Sequence, residues 1–463
     1  MASKVDKNID TYAFLVLFAS IIYILFYNLT HYDQLFGYDG EAHHGYVQNF
    51  LNIFIYNNDL PPSDFTREFF SPPLPYVFPT LINEVCKRYF DLSDIYESCR
   101  QIYSFSNIFF QSLLYLLTIY FYLKTIQLFL DKKIKSNLST LLLIGIFSIN
   151  YKTVVMLRGE IYILFFNSLL MFLFLKFIKK SFNYKKLDIF LFGLIIGFLA
   201  LSRQWAFLLF PGYVLLLFFL KKDFRKKYFS FMFYSSIIGF LISSWFYFNL
   251  YFQYGTFTAF NLDPIKFSFY NQPKSFYIPS LESLFQLFDK PIRPNFDNQF
   301  LPILYSDLWG DYWGYFSFTS RDLSSGRNQE FIGSYLGRVN TFSLLPTFFY
   351  LSVLIYSIKT LFKKQKNFEN YFIFYLVFSI ISSFIGYFLF LVSYPVETGD
   401  TIKASYIIQM FHMLGLLSAI YLEKVKAKSF SFYLVVVSIF TVVFIHNFSA
   451  MLSHFEQIKF NVF

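Results

Sequence analysis

Asp39 and Glu41 sit two residues apart in the run Tyr38-Asp39-Gly40-Glu41-Ala42-His43-His44, just after the first apolar stretch of the chain. Carboxylates are costly at a bilayer edge and are kept there for function. A carboxylate within hydrogen-bond reach of a hydroxyl can take its proton during group transfer, so Asp39 is a candidate general base and Glu41 its hydrogen-bond or metal partner. Read as Asp-x-Glu, the same pair suits a hard cation such as Mg²⁺ or Mn²⁺ together with phosphate oxygens. A solvated acidic loop capping the next helix has the same composition, because the positive end of a helix favours carboxylates. Neighbouring histidines on a helix cannot both face one site, so at most one of His43 and His44 can join the acidic pair.

Three basic residues stand where apolar stretches begin or turn. They are Arg158 in Leu157-Arg158-Gly159-Glu160, Arg203 in Ser202-Arg203-Gln204, and Lys403 in Thr401-Ile402-Lys403-Ala404-Ser405-Tyr406. Each can meet a lipid phosphate, and a fixed cation there stabilises a phosphate that departs with growing negative charge. Snorkelling to the interface accounts for Arg158 and Arg203 equally well. Lys403 at a helix start opposes the helix dipole and so invites an anionic partner. A last cluster, Tyr305-Ser306-Asp307-Leu308-Trp309-Gly310-Asp311-Tyr312-Trp313-Gly314-Tyr315, reads either as a sugar-facing surface built on Asp307, Trp309 and Asp311 or as an interfacial aromatic belt.

The elements that must position these residues are membrane spans. The chain has 463 residues, of which 56% are hydrophobic and 15% charged, against about 25% charged in soluble domains. Stretches near 10–29, 103–130, 137–156, 160–178, 187–202, 204–220, 228–250, 341–362, 370–393, 404–422 and 430–452 each approach the roughly 20 apolar residues of a span. The pair 187–202 and 204–220 is short and reads as a tight hairpin turning at Arg203. Alternate loops are basic: Lys4 and Lys7; Lys132, Lys133 and Lys135; Lys179 to Lys186; Lys221 to Lys227; Lys363 to Lys366; Lys424 to Lys428. That alternation places them on the cytoplasmic side with the N-terminus. It also accounts for the net charge of +10 as topology and contact with anionic lipid, not as a nucleic-acid surface. The first span carries no small-residue cleavage site and reads as retained. The organisation expected is a transmembrane core over 1–250, an irregular external insert of loops and short helices over 251–340, and C-terminal spans over 341–463. Cys86 and Cys99 fall in the first external loop, where they can pair or stay free.

One span, an acidic loop and then Phe70-Ser71-Pro72-Pro73-Leu74-Pro75-Tyr76 resembles the start of the polytopic GT-C glycosyltransferases, which take sugars from polyprenyl-phosphate carriers. The Pro-Pro-Leu-Pro-Tyr stretch is similar to the Pro-Pro-Leu-Tyr signature of the protein mannosyltransferase-like members. The related aminoarabinose transferases have Glu-Lys-Pro there; this chain has Ser71-Pro72-Pro73, so no phosphate-reading lysine comes from this loop. The resemblance covers most of the chain as architecture and rests on short motifs near 38–45, 70–76, 158–160 and 401–406. It implies an all-α, polytopic GT-C fold with about 11 spans, in a bacterial inner membrane or, alternatively, the endoplasmic reticulum. It implies inverting transfer of a sugar from a polyprenyl-phosphate donor to an acceptor hydroxyl on a glycan, lipid or protein. Asp39 would act at the acceptor, Lys403 with Arg158 and Arg203 at the donor phosphate, and His43, His44, Tyr406, Asp307, Trp309 and Asp311 along the substrates. Oligosaccharyltransferases use a metal at such an acidic pair, whereas the mannosyltransferase-like branch does not, so the expectation is no metal and no other cofactor.

A transporter or flippase would place ionisable residues near the membrane midplane, and here they gather on one side. An O-antigen ligase or polymerase shares the large external loop but not the acidic first loop. A non-catalytic assembly subunit is the remaining alternative. The topology is checked by cysteine substitution. A cysteine at Ser324 is expected to react with an impermeant reagent from outside and one at Ser181 not to; equal labelling of both would overturn the sidedness.

Overall fold

The structure is a computed structural model describing residues 4–35, 39–57, 60, 68–90, 99–131, 137–258, 260, 265–314, 329–362 and 366–454. Tyr38, Tyr315, Ser324, Lys132, Lys133, Lys135, Lys363 and Lys364 lie outside the described residues. The described residues are helical, with no strand. Among the described residues seven helices are long and apolar enough to cross a membrane, so the chain is a multi-pass membrane protein. They are α1 (Lys4–His31), α4 (Arg100–Phe129), α7 (Glu160–Lys179), α10 (Lys222–Tyr254), α14 (Gln329–Leu361), α15 (Phe368–Ser393) and α16 (Ile408–Lys426). Expected span 137–156 is two helices, α5 (Leu138–Gly145) and α6 (Ser148–Val155), bent by 68°.

The expected spans at 187–202, 204–220 and 430–452 form α8 (Lys186–Ala200), a 3₁₀ turn (Gln204–Leu209) running into α9 (Phe210–Phe219), and α17 (Phe430–His446). These three fall short of the span criterion. At 1.5 Å per residue, a helix of about 15 residues reaches only about 22 Å of the ~30 Å hydrocarbon core. Phe192 of α8 and Tyr213 of α9 are in ring contact, but α8 packs chiefly on α10 and α9 on α15, so the two are not the tight hairpin expected. The shorter helices α2 (Gly40–Phe50), α3 (Leu74–Phe90), α11 (Lys274–Tyr277), α12 (Leu281–Asp289) and α13 (Phe300–Trp309) lie outside the spans.

The bend between α5 and α6 leaves carbonyls that lipid cannot satisfy. Side chains of the second helix take them up: Asn150 donates to the Ile144 carbonyl at 2.8 Å and Tyr151 to the Gly145 carbonyl at 2.7 Å. His412 of α16 closes on the Asn150 side-chain oxygen at 2.8 Å. The central element is α16, with 94% of its most apolar window enclosed, against 28% for both α10 and α14. On α10 the exposed face carries Phe229, Phe233, Ile237, Phe240 and Leu241, and on α14 Leu345, Phe348, Leu351 and Ile355. Helical spacing of large exposed apolar residues marks the lipid-facing side.

The helix ends sort into two groups, as the charge pattern requires. At one end Lys179 pairs with Asp131, Lys424 with Glu369 at 2.7 Å, Lys426 with Asp10, and Lys227 donates to Asn183 at 2.8 Å. Asn137, Asn367 and Ser429 cap α5, α15 and α17 there, each accepting a backbone N–H of the first turn. At the other end, the Ile265 amide donates to the Ser393 carbonyl, Gln272 to the Leu391 carbonyl, and the Trp313 indole to the Ile402 carbonyl. The insert is thus fastened to the turn that carries Lys403. It is shorter than expected, because α14 already begins at Gln329.

Cys86 at the end of α3 and Cys99 just before α4 form a disulfide. Disulfides persist in oxidising compartments, so a bridge that forms in the cell would support the sidedness expected from the basic loops. The two cysteines are expected to resist a thiol reagent in denaturant until a reductant is added. Labelling of both without reduction would remove the bridge and its support for the sidedness.

Candidate functional site

Asp39 is brought into place by the short connection after α1. The Asp33 carboxylate pairs with Arg100 and accepts from Ser104 Oγ at 3.0 Å, both on α4. Gln34 donates to Gln111 at 2.8 Å and to the Val155 carbonyl at 2.9 Å, and Gln111 donates to the Met156 carbonyl at 2.8 Å. The acidic loop is therefore tied to the end of α6, two residues before Arg158. Asp39 itself is the residue before α2 and holds a left-handed backbone with φ 60°. Aspartate tolerates that region better than most residues, and Asp131, Ser181, Phe182 and Asn298 share it. The next residue has to be glycine, since a Cβ on Gly40 would stand 2.0 Å from the Gln34 carbonyl oxygen.

Asp39 Oδ2 lies 2.8 Å from the Arg158 guanidinium and 3.7 Å from Lys403 Nζ. The three side chains come from sequence positions separated by more than a hundred residues at each step. Arg158 and Lys403 are buried, while Asp39 keeps partial exposure, so the cluster opens on the Asp39 side. Lys403 has the anionic partner that its place ahead of a helix calls for. Its backbone N–H donates to the Tyr387 hydroxyl at 2.7 Å, and its ammonium lies 5.6 Å from the Tyr406 ring. Tyr406 in turn stacks on the half-buried Trp205 at 4.6 Å.

A second cluster adjoins the first through the turn Arg158-Gly159-Glu160. A Cβ on Gly159 would meet the Ser202 carbonyl oxygen at 2.0 Å, so only glycine allows this turn to lie against Ser202 and Arg203. Arg203 sits between Glu160 at 3.4 Å and Glu68 at 3.1 Å, and donates to Ser71 Oγ as well. Ser71 Oγ donates to Glu68 at 2.7 Å, and the Ser71 carbonyl accepts from Tyr46 at 2.8 Å. The Leu74 amide donates to the Leu201 carbonyl, and Gln204 to the Phe70 carbonyl. The Phe70–Tyr76 stretch is thus a strap across the turn between α8 and α9, with Arg203 as its anchor. The expected reach of Arg203 to a donor phosphate gives way to these internal partners.

The two histidines diverge, as neighbours on a helix must. His43 faces the second cluster: its Nδ1 shares a hydrogen bond with the Tyr76 hydroxyl at 2.7 Å, and its Nε2 is 3.9 Å from Glu68. His44 turns to α4 and meets the Tyr103 ring edge-on at 5.0 Å. Burial, with Arg203 and Arg158 adding to it and Glu68 opposing, lowers His43 from 6.5 to about 3, so it is neutral at physiological pH. Burial pushes the Glu68 carboxyl up, but His43, Arg203 and the Ser71 hydroxyl outweigh it and hold the group well below the usual carboxylate range.

Glu41 is exposed in the first turn of α2. Asp39 already serves as counter-ion to two cations, a donor set that does not suit a divalent metal. Among the described residues no group of three or more His, Cys, Asp or Glu is arranged to hold one. Asp307, Trp309 and Asp311 do not form an open face. All three are buried in the interior, where Asp307 and Asp311 flank Lys152 of α6, each at 3.7 Å, and the Trp309 indole donates to Thr347 at 3.0 Å. Glu68, Glu160, Ser71 and Lys152 were not singled out from the sequence. Glu160 carried a signal in its place directly after Arg158-Gly159, and Ser71 in its place before the paired prolines.

No family model and no curated protein sequence matches the chain. Fold and site together define an all-helical, multi-pass membrane protein with paired charges buried at one membrane edge.

The buried cluster makes stability acid-sensitive. An unfolded chain takes up protons at histidine near 6.5 and at glutamate near 4.5, whereas the folded chain holds both off. Their contribution is therefore complete above about pH 6.5 and is lost as pH falls, at up to about 1.4 kcal/mol per pH unit for each group. The thermal midpoint of purified protein should drop steadily from pH 7 to pH 4. His43→Gln should flatten the upper part of that slope; an unchanged slope would show that His43 is not held neutral by its surroundings.

Proposed function

We propose that the chain is a polyprenyl-phosphate-sugar-dependent glycosyltransferase of the GT-C kind, acting from the external side through a core of about eleven passes, the three short helices crossing where the bilayer thins to match them. One observation carries the reading: Asp39 meets Arg158 and Lys403, so the candidate base and the candidate phosphate cations lie within ion-pair distance of one another. Base and phosphate have to be this close for a direct displacement at a single sugar carbon.

Arg158 and Lys403 receive the donor phosphate. A phosphate arriving between them competes with Asp39 for both cations, and its arrival frees the carboxylate to face the acceptor. Donor therefore binds before acceptor. The acceptor oxygen then bonds to the anomeric carbon as the bond from that carbon to the phosphate oxygen breaks. The hydroxyl proton passes to Asp39, and the electron pair leaves with polyprenyl phosphate, whose charge the two cations stabilise. Attack opposite the leaving phosphate inverts the anomeric centre. Arg203, Glu68 and Ser71 hold the strap, and Tyr406 on Trp205 gives an aromatic wall beside Lys403. The acceptor is a hydroxyl of a glycan, lipid or protein, and the setting is a bacterial plasma membrane with the basic loops on the cytoplasmic side.

In proteoliposomes containing donor lipid, Asp39→Asn should lower turnover by about 10²–10⁴-fold, while donor binding is retained or tightened, because the carboxylate that competes for Arg158 and Lys403 has lost its charge. Glu41→Gln should be mild, and a chelator should leave wild-type turnover unchanged. Lys403→Ala should weaken donor binding by roughly ten- to a hundred-fold. Near-wild-type turnover in Asp39→Asn would sink the reading, and loss of activity to a chelator would replace it with a metal-assisted one.

A further inference from the structure

Lys152 is fully buried, yet nothing in the proposed chemistry uses it. Its ammonium donates to the Asp307 carbonyl at 3.0 Å and to the Gly310 carbonyl at 2.5 Å, and lies 3.7 Å from the carboxylates of both Asp307 and Asp311. A buried charge is tolerated only when paired and hydrogen-bonded in this way. Ser148, one turn earlier on α6, donates to the Leu308 and Gly310 carbonyls at 3.1 Å each. Together they fasten the end of α13 to α6, the helix that runs on into Arg158.

The other oxygen of Asp307 points the opposite way. Oδ2 accepts the backbone N–H of Ala404 at 2.7 Å, and Ala404 is the residue after Lys403. The same turn is held from α15 by Tyr387, whose hydroxyl accepts the Lys403 N–H at 2.7 Å and donates to the Thr401 carbonyl at 2.9 Å. Trp313 adds a bond to the Ile402 carbonyl at 3.0 Å. A continuous set of contacts thus runs from the Arg158 arm through α6, Lys152, Asp307 and Ala404 to Lys403.

We infer that Asp307 is a positioning residue: by accepting the Ala404 amide while bound to Lys152, it holds the Lys403 ammonium in register with Arg158 for a phosphate. The inference rests on the proposed phosphate site. It assigns Asp307 an indirect part in donor binding, in place of contact with a sugar. Burial pushes the Asp307 carboxyl up against the pull of Lys152 and the Ala404 amide, in keeping with a group whose acceptor oxygen matters more than its charge.

The test is a double-mutant cycle on binding of undecaprenyl phosphate to detergent-purified protein, read by tryptophan fluorescence, with the thermal midpoint recorded for each variant. Asp307→Ala should weaken binding about tenfold, the loss of one well-placed hydrogen-bonded contact. Asp307→Asn, whose amide oxygen still accepts the Ala404 N–H, should bind within about threefold of wild type on the same scale. In a Lys403→Ala background, Asp307→Ala should cost nothing further, because it acts through Lys403. A general structural role would lower binding equally in both backgrounds and would overturn the inference, as would a loss in Asp307→Asn as large as in Asp307→Ala. Should Asp307→Ala not accumulate, Asp307→Ser, which cannot reach Ala404, takes its place in the cycle. If Lys403→Ala alone binds normally, the phosphate site itself is refuted and the inference with it; if Lys403→Ala weakens binding and Asp307→Ala does not, only the positioning role falls.

Discussion

The pairing of Asp39 with Arg158 and Lys403 is the interaction on which the rest of this end of the molecule depends. Each of these groups is costly to bury alone, and each is supplied by a different part of the chain. The fold has to bring the first loop, the turn after the bent helix and the turn before the most enclosed helix to one point. The hydrogen bonds at that end follow from this demand: Asp33 and Gln34 fix the first loop, Gly159 lets the second turn close on Ser202, and Tyr387 and Asp307 hold the third.

The charges are arranged as alternating shells. Asp39 balances Arg158 and Lys403, while Glu160 and Glu68 balance Arg203, with Ser71 and His43 filling the remaining contacts. Further in, Asp307 and Asp311 balance Lys152. The Asp39 side chain is 10% exposed and that of Glu68 8%, whereas Lys152, Asp307 and Asp311 are fully enclosed. In the proposed reading an incoming phosphate competes at the Asp39 pair, while the fully enclosed Lys152 pairs act as scaffolding. This division separates groups that could handle a ligand from groups that hold them in place, a distinction their residue types alone do not make.

Much of this was legible in the sequence for a physical reason. A charged residue at the edge of an apolar span is expensive, so Asp39, Arg158, Arg203 and Lys403 stood out by position, and the alternation of basic loops gave their common side. The partners of these residues were not legible, because pairing is long-range: Glu68 lies in a loop without pattern, and Lys152 fell unremarked near the end of the apolar stretch 137–156. The aromatic and acidic run from Tyr305 to Trp313 read as a surface by its density. It is buried because Lys152 and Thr347 satisfy its polar groups from inside. Apolar composition marked all eleven stretches alike. Helix length separated seven clear spans from a bent pair and three short helices, and length is set by where caps and turns fall.

The account's central claim is that Arg158 and Lys403 form the seat of a polyprenyl phosphate bearing a sugar. The most direct measurement is mass spectrometry of lipid retained by the gently extracted protein, comparing wild type with a variant carrying both Arg158→Ala and Lys403→Ala. The account predicts a polyprenyl-phosphate sugar bound to the wild type and depleted by roughly tenfold or more in the variant, the loss expected for removing two charged contacts. Only bulk phospholipid on the wild type, or the same lipid retained equally by both proteins, would contradict it.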